Sequence, residues 1–216
     1  MNPRNFPKLA LPLIAAASIA ASAHAQDKKG SNLSDSTGPA KPVAAEQLVL
    51  GYRLADYART TKDARAMLVA ARIVDAITLK PGADAGKVSG KGAAVSAAGR
   101  KPEAVSGADL FAEARQLAAG DTDIVQEIER AQAEASKGTS KMCGAFRTVQ
   151  YVPGQTTWTV RFAAVGGEPL IIGARRDSAT PVDLKVYDEN GNLVCQDMSH
   201  NVTLFCRVNV IWTGPF

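Results

Sequence analysis

The sequence predicts an α+β protein in which Ala-rich helical hairpins precede a C-terminal antiparallel β-sandwich of jelly-roll type. Three observations carry this. Apolar residues recur at helical spacing between positions 44 and 137, the period shifts toward two beyond Cys143, and eight of the 12 aromatic residues lie after that point. Periods near 3.6 and 2 are those with which a helix and a strand present one face to a core.

The first 25 residues, MNPRNFPKLALPLIAAASIAASAHA, join Arg4 and Lys8 to an apolar run from Leu9 to Ala23 and end in Ala23-His24-Ala25. A positive start, a short apolar middle and a small-residue ending make an export signal cleaved after Ala25. The run is shorter than the roughly 20 residues of a membrane span, so no transmembrane span is expected. A periplasmic or secreted protein is. Cleavage removes two basic and no acidic residues, leaving 25 − 2 = 23 basic against 21 acidic, a formal charge of +2. That balance offers no electrostatic case for nucleic acid as partner.

Residues 26–43 are rich in Lys, Ser, Gly and Pro with little to bury and read as a disordered lead-in. Leu48, Gly51, Tyr52, Ala55 and Ala58 then form the apolar face of a first helix. Thr60, with Asp63 three residues on, is expected to cap a second helix through Ala66, Ala70, Ile73 and Ile77. Residues 80–105 are mostly Ala, Gly, Lys and Ser and read as a flexible linker. Beyond it Ser106 and Asp109 cap a helix bearing Leu110, Ala114 and Leu117; Gly120 ends it, and Asp121 starts a fourth bearing Ile124, Ile128, Ala131 and Ala135. These helices span 44–137 as two antiparallel hairpins.

In the expected sandwich, residues 143–216, Trp158, Val160 and Phe162 alternate, as do Val182, Leu184 and Val186, and Leu204, Cys206 and Val208. Polar turns separate the runs. Three cysteines in an exported chain invite pairing. Cys195 and Cys206 lie in neighbouring strand-like runs and are predicted to pair, stabilising the fold by about 3 kcal/mol at best. Cys143 is left over.

VYDENGNLVCQD, residues 186–197, poses a choice between a metal loop and a turn. An EF-hand starting at Asp188 needs Gly at its sixth and Glu at its twelfth position, where this chain has Leu193 and Ser199. Asn190-Gly191 between strand-like runs fits a hairpin loop instead. A separate candidate calcium site draws on Asp183, Asp188 and Asp197 meeting at one sandwich edge; no other cofactor is indicated.

GGEPLIIGARRDSATPVDLKVYDENGNLVCQD, followed by WTGPF, resembles the bacterial pre-peptidase C-terminal domain family. The likeness lies in Gly167-Glu168 at a strand start, Asp183-Leu184, Tyr187-Asp188, Asn190-Gly191 and the corner Thr213-Gly214 with Phe216. It covers about residues 155–216. Two features depart from the family: Arg175 and Arg176 stand in a usually Asp- and Gly-rich turn, and a final strand after the corner is missing. The resemblance implies a sandwich that accompanies exported proteins as a contact module. Either the sequence is truncated there or the sandwich lacks an edge, and an open sheet edge would let chains self-associate.

Catalytic patterns are sparse. His200, the one histidine of the mature chain, sits among Asp197, Ser199 and Asn201, and near neighbours in sequence cannot face one another as nucleophile, base and orienting acid. No nucleophile elbow, zinc-protease or phosphate-loop pattern occurs. The function expected is therefore an exported, non-catalytic binding or accessory protein. Its partner would be an envelope or extracellular protein or glycan, with Trp158, Tyr187 and Trp212 as a candidate binding platform. The alternatives are an envelope hydrolase using Asp183, Asp197 and His200, and a docking module formed by the helical hairpins with the sandwich as support.

Overall fold

The computed structural model describes residues 28–35, 44–82, 84–91, 104–137, 142–177 and 179–216. The expected export signal, 1–25, lies outside them, as do residues 92–103 of the low-complexity stretch.

Four helices form where the apolar periodicity places them: α1 (Ala44–Thr61), α2 (Ala64–Asp75), α3 (Gly107–Leu117) and α4 (Thr122–Ser136). Their shared core joins Tyr52, Ala55 and Ala58 to Met67, Leu68, Leu110, Phe111 and Ile128. No described helix is long and apolar enough to cross a membrane. Ser106 and Asp109 close the expected capping box, and Asp121 caps α4. The cap of α2 is corrected. Asp63, in extended backbone, accepts the Ala66 N–H at 2.9 Å, while Thr60 remains inside α1 and donates to the Asp56 carbonyl at 3.0 Å. The chain leaves α1 only at Lys62, whose φ is 56°, so Thr60 is already bonded within a helix when a cap is needed.

Helix α3 begins almost in contact with the end of α2. A Cβ on Gly107 would lie 2.9 Å from the Asp75 Cα and backbone N, closer than packed atoms approach. Gly107→Ala is therefore expected to lower unfolding free energy by about 1–3 kcal/mol, measured by urea denaturation, with the loss arising from helix separation.

Two corrections concern the stretch read as linker. Ile77, assigned by periodicity to the second helix, begins β1 (Ile77–Pro81), and β2 (Lys87–Gly90) follows. β1 pairs in parallel with β3 (Met142–Arg147), and β2 pairs antiparallel with β4 (Thr156–Thr159), setting Val88 opposite Trp158. Composition around these strands is poor in apolar residues. Their ladder bonds come from segments more than 60 residues away, which no local pattern reports.

The C-terminal region holds β5 (Ala163–Ala164), β6 (Pro169–Arg175), β7 (Leu184–Tyr187), β8 (Leu193–Asp197), β9 (Thr203–Asn209) and β10 (Gly214–Pro215). Among the described residues every strand pairs in twos: β6 with β9, β7 with β8 and β5 with β10, all antiparallel. The β6–β9 and β7–β8 ribbons share a core of Val186, Val194, Cys206, Val208, Val210 and Phe216. The Cys195–Cys206 disulfide joins them, its Cα atoms 5.9 Å apart. A mixed α+β architecture is thus present, with small two-stranded sheets in place of the expected closed jelly-roll and with one parallel pair. Strands of two to seven residues meet through side chains and a sulfur bridge, not through a continuous ladder.

The corner after Thr213 does not leave β5 without a partner. Gly214 and Pro215 pair with Ala164 and Ala163, and Phe216 exchanges main-chain hydrogen bonds of 2.8 and 3.1 Å with Phe162. Burial of Phe216 anchors this two-residue strand, so the corner gives β5 a partner.

Helix α1 packs across β6 and β9. Gly173 permits the approach, since a Cβ there would fall 2.4 Å from Val49 Cγ2. The contact is largely polar. Asp56 Oδ1 accepts from Arg59 and Arg175, each at 2.8 Å, and its Oδ2 accepts from the Thr203 hydroxyl at 2.9 Å. Arg59 also forms a two-pronged pair with Glu113, both contacts 2.7 Å. Arg175 lies over the Tyr52 ring and Arg53 over Phe205, each at 5.5 Å. Glu46 binds Arg207.

Candidate functional site

The turn between β7 and β8 is the hairpin predicted from Asn190-Gly191. The Asp188 N–H donates to the Asn192 carbonyl and the Gly191 N–H to the Asp188 carbonyl, both at 3.0 Å, and Gly191 has φ 79°. Asp188, 5% exposed, folds its carboxylate back into the loop. Oδ1 accepts the N–H groups of Asn190 and Asn192 at 3.0 and 2.8 Å. Oδ2 accepts from the Asn192 side chain at 3.0 Å and from the backbone N–H of Asn32 at 2.9 Å.

Asn32 corrects the reading of residues 28–35 as disordered; residues 26–27 and 36–43 of the same stretch lie outside the described residues. Residues 28–35 form an arm without regular secondary structure, bent at Gly30 (φ 90°), laid over the hairpin and the C-terminal corner, and Asn32 is fully buried. Its Oδ1 accepts the N–H groups of Ile211 and Trp212, each at 3.0 Å. Its Nδ2 donates to the Trp212 carbonyl at 2.9 Å and to Glu189 Oε2 at 3.3 Å. Two donor hydrogens and two acceptor positions exhaust what a carboxamide offers. The Asn190 amide donates to the carbonyls of Lys28 and Gly30 at 2.9 and 2.8 Å, and the Asn192 amide to that of Gly30 at 2.9 Å. Lys28 Nζ donates to the Thr213 carbonyl at 2.9 Å and the Ser34 N–H to the Asn209 carbonyl at 2.8 Å. The Trp212 indole N–H donates to Glu189. Apolar content cannot reveal an arm held this way. Its signal is a single asparagine whose partners lie more than 150 residues downstream.

Burial opposes ionisation of Asp188, yet donation from Asn192, Asn32 and Asn190 together holds its carboxyl below the ordinary aspartate range. Glu189 follows the same logic: desolvation works against the charge, while the Trp212 and Asn32 donors outweigh it and lower the pKa. For Asp197 desolvation is again outweighed, here by Ser199, the Phe205 N–H and the Arg53 charge. Its Oδ2 accepts the Phe205 N–H at 2.9 Å and its Oδ1 the Ser199 N–H at 3.0 Å.

The three candidate calcium ligands do not converge. Leu184 pairs with Asp197, so Asp183 and Asp197 lie at one end of the β7–β8 ribbon and Asp188 at the other, five residues along the chain from Asp183. At ~3.3 Å per residue that separates Asp183 from Asp188 by roughly 16 Å. Among the described residues no group of three or more His, Cys, Asp or Glu is placed to hold a metal ion. The platform residues also diverge. Trp212 is buried, Trp158 is half-buried with its indole N–H on the Ala85 carbonyl at 3.0 Å, and Tyr187 is exposed. A platform of all three is corrected to separate roles, because both indoles serve as structural donors. His200, exposed with φ 60°, shares an end of the ribbon with Asp183 and Asp197, but both Asp197 oxygens are already engaged. Cys143 is exposed and outside the disulfide.

Comparison of the chain with protein-family models, with characterised proteins and with solved structures finds no match. The likeness to pre-peptidase C-terminal domains therefore stands on the spaced residues alone.

Proposed function

We propose that this chain is an exported, non-catalytic accessory protein whose C-terminal ribbons act as a contact module for polypeptide. The observation that supports it is the corner itself: Asp188, Glu189, Asn190 and Asn192 already hold a chain segment, residues 28–35, by side-chain bonds to its backbone and to one buried side chain. Acidic groups that could do chemistry are spent as acceptors for N–H donors, which suits binding and positioning. The disulfide between the ribbons fits an oxidising compartment.

Comparing wild type with His200→Ala and Asp197→Asn on cell-wall, ester and peptide substrates tests the reading. Equal, background rates in all three are expected, together with saturable cross-linking of an exported polypeptide to the wild-type chain. A turnover shown by wild type and lost in either variant would assign the hydrolase alternative instead.

A further inference from the structure

The arm is gripped in an unusual way for a terminal segment. Of residues 28–35 only Asn32 is buried; Leu33, the one large apolar side chain, is 39% exposed. Almost no apolar area holds the arm down, so its attachment is made of directional hydrogen bonds.

Those bonds form a socket with a readable pattern. Two main-chain donors, the N–H groups of Ile211 and Trp212, face the carboxamide oxygen. Two acceptors, the Trp212 carbonyl and the Glu189 carboxylate, face the carboxamide nitrogen. An aspartate in this place would set a negative oxygen against a carbonyl and a carboxylate. Glutamine would need room for one more methylene group in a fully buried position. Alanine would strand the two N–H groups and the carbonyl. Around the socket Asp188 takes the N–H of the asparagine, and the amides of Asn190 and Asn192 hold the carbonyls two and four residues before it. The corner thus reads a backbone bent at Gly30 (φ 90°) and one carboxamide together.

We infer that the β7–β8 hairpin and the Ile211–Trp212 corner form a recognition site for a polypeptide segment bearing an asparagine side chain two residues after a glycine bend. Residues 28–35 are its tethered occupant, and the same segment from a second copy or as free peptide can take their place. This deepens the contact-module reading by naming the ligand class of one corner. Because a covalent tether raises the arm's effective concentration to the millimolar range, on the order of 1 mM, the intact arm competes strongly with any ligand in trans. Occupation in cis is then the resting state, and exchange needs a weakened arm or a cut tether.

The test folds and oxidises the full mature chain with a protease site inserted between Thr37 and Gly38, cuts it, and adds a fluorescent peptide of residues 26–36, QDKKGSNLSDS. Fluorescence anisotropy should show saturable binding to the cut chain and at least about tenfold weaker binding to the uncut one. Peptides carrying Asn32→Asp or Asn32→Gln should bind at least about tenfold more weakly than the parent. The uncut Asn32→Ala chain, which lacks the competing carboxamide, is a second receptor and should also bind the parent peptide. Mixing that variant with isotope-labelled wild type at high concentration should give cross-links from the labelled arm to the variant's corner, which distinguishes a second copy from free peptide as the source. No peptide binding to the Asn32→Ala chain, or equal binding of the parent peptide and its Asn32→Asp variant, overturns the inference. A chain that captures an exported polypeptide yet refuses this peptide keeps the contact-module reading and loses this one; turnover lost in His200→Ala beside intact peptide exchange does the reverse.

Discussion

Asp56→Ala is expected to lower unfolding free energy by about 3 kcal/mol. Asp56 binds α1 to both strands of the β6–β9 ribbon, through Arg175 and Thr203. Without it the Arg175 guanidinium, 20% exposed at its side chain, loses its carboxylate, and its Nε is already a buried donor lacking a partner. Thr203, 2% exposed, loses the acceptor for its hydroxyl. Arg59 is affected least, since its fork to Glu113 survives. A double-mutant cycle with Arg175→Met, read by urea denaturation, should return a coupling of about 1–3 kcal/mol, because removing both partners leaves no buried charge behind. Additive losses would show that the two residues act independently.

Asp188→Ala should cost a similar amount, about 2–3 kcal/mol, since four donors lose the acceptor supplied by a residue that is only 5% exposed. Its consequence for pH follows from sign. Asp188, Glu189 and Asp197 all have folded pKa values below their ordinary ones. The stability they supply is therefore complete above the unfolded carboxyl range, near about 4, and is lost as pH falls through the lower folded values. Thermal melts taken downward from neutral pH should hold steady to about pH 5 and then decline. The decline should be shallower in Asp188→Ala, which has already surrendered part of the titrating contribution. Protection of the Ile211 and Trp212 amides, taken relative to the intrinsic exchange rate at each pH, should fall over the same acid window as the arm lets go of Asn32; protection unchanged by acid would show that the carboxylates do not hold it.

Local pattern was enough for elements whose reasons are local. The helices of Leu110 and Ile128, the Ser106–Asp109 box and the Asn190-Gly191 turn depend on residues within one turn of each other, where spacing and cap chemistry act directly. The pairing of Cys195 with Cys206 was legible because they lie in adjacent strand-like runs. The boundary errors come from competition. Ile77 continues the helical period of α2, yet Thr78 is β-branched and Pro81 cannot continue a helix, and a parallel partner at Met142–Arg147 decides the matter. The candidate site was half legible: its hairpin was identified, but its occupant was taken for a disordered lead-in.

By itself the sequence determined the four helical segments, the pleated character beyond Cys143, which two sulfurs meet, and that Asp188 to Asn192 reverses direction. Each is settled by neighbours along the chain, or by an alternation that needs no knowledge of the partner. Only the tertiary structure decided that low-complexity segments become β2 and the arm, that Asp56 ties α1 to the β6–β9 ribbon, and that Asp188 and Asp183 lie at opposite ends of a ribbon. The reason is the directionality of hydrogen bonds. A polar residue such as Asn32 is equally content in water, and it becomes a structural anchor only when folding brings two donors and two acceptors to its carboxamide.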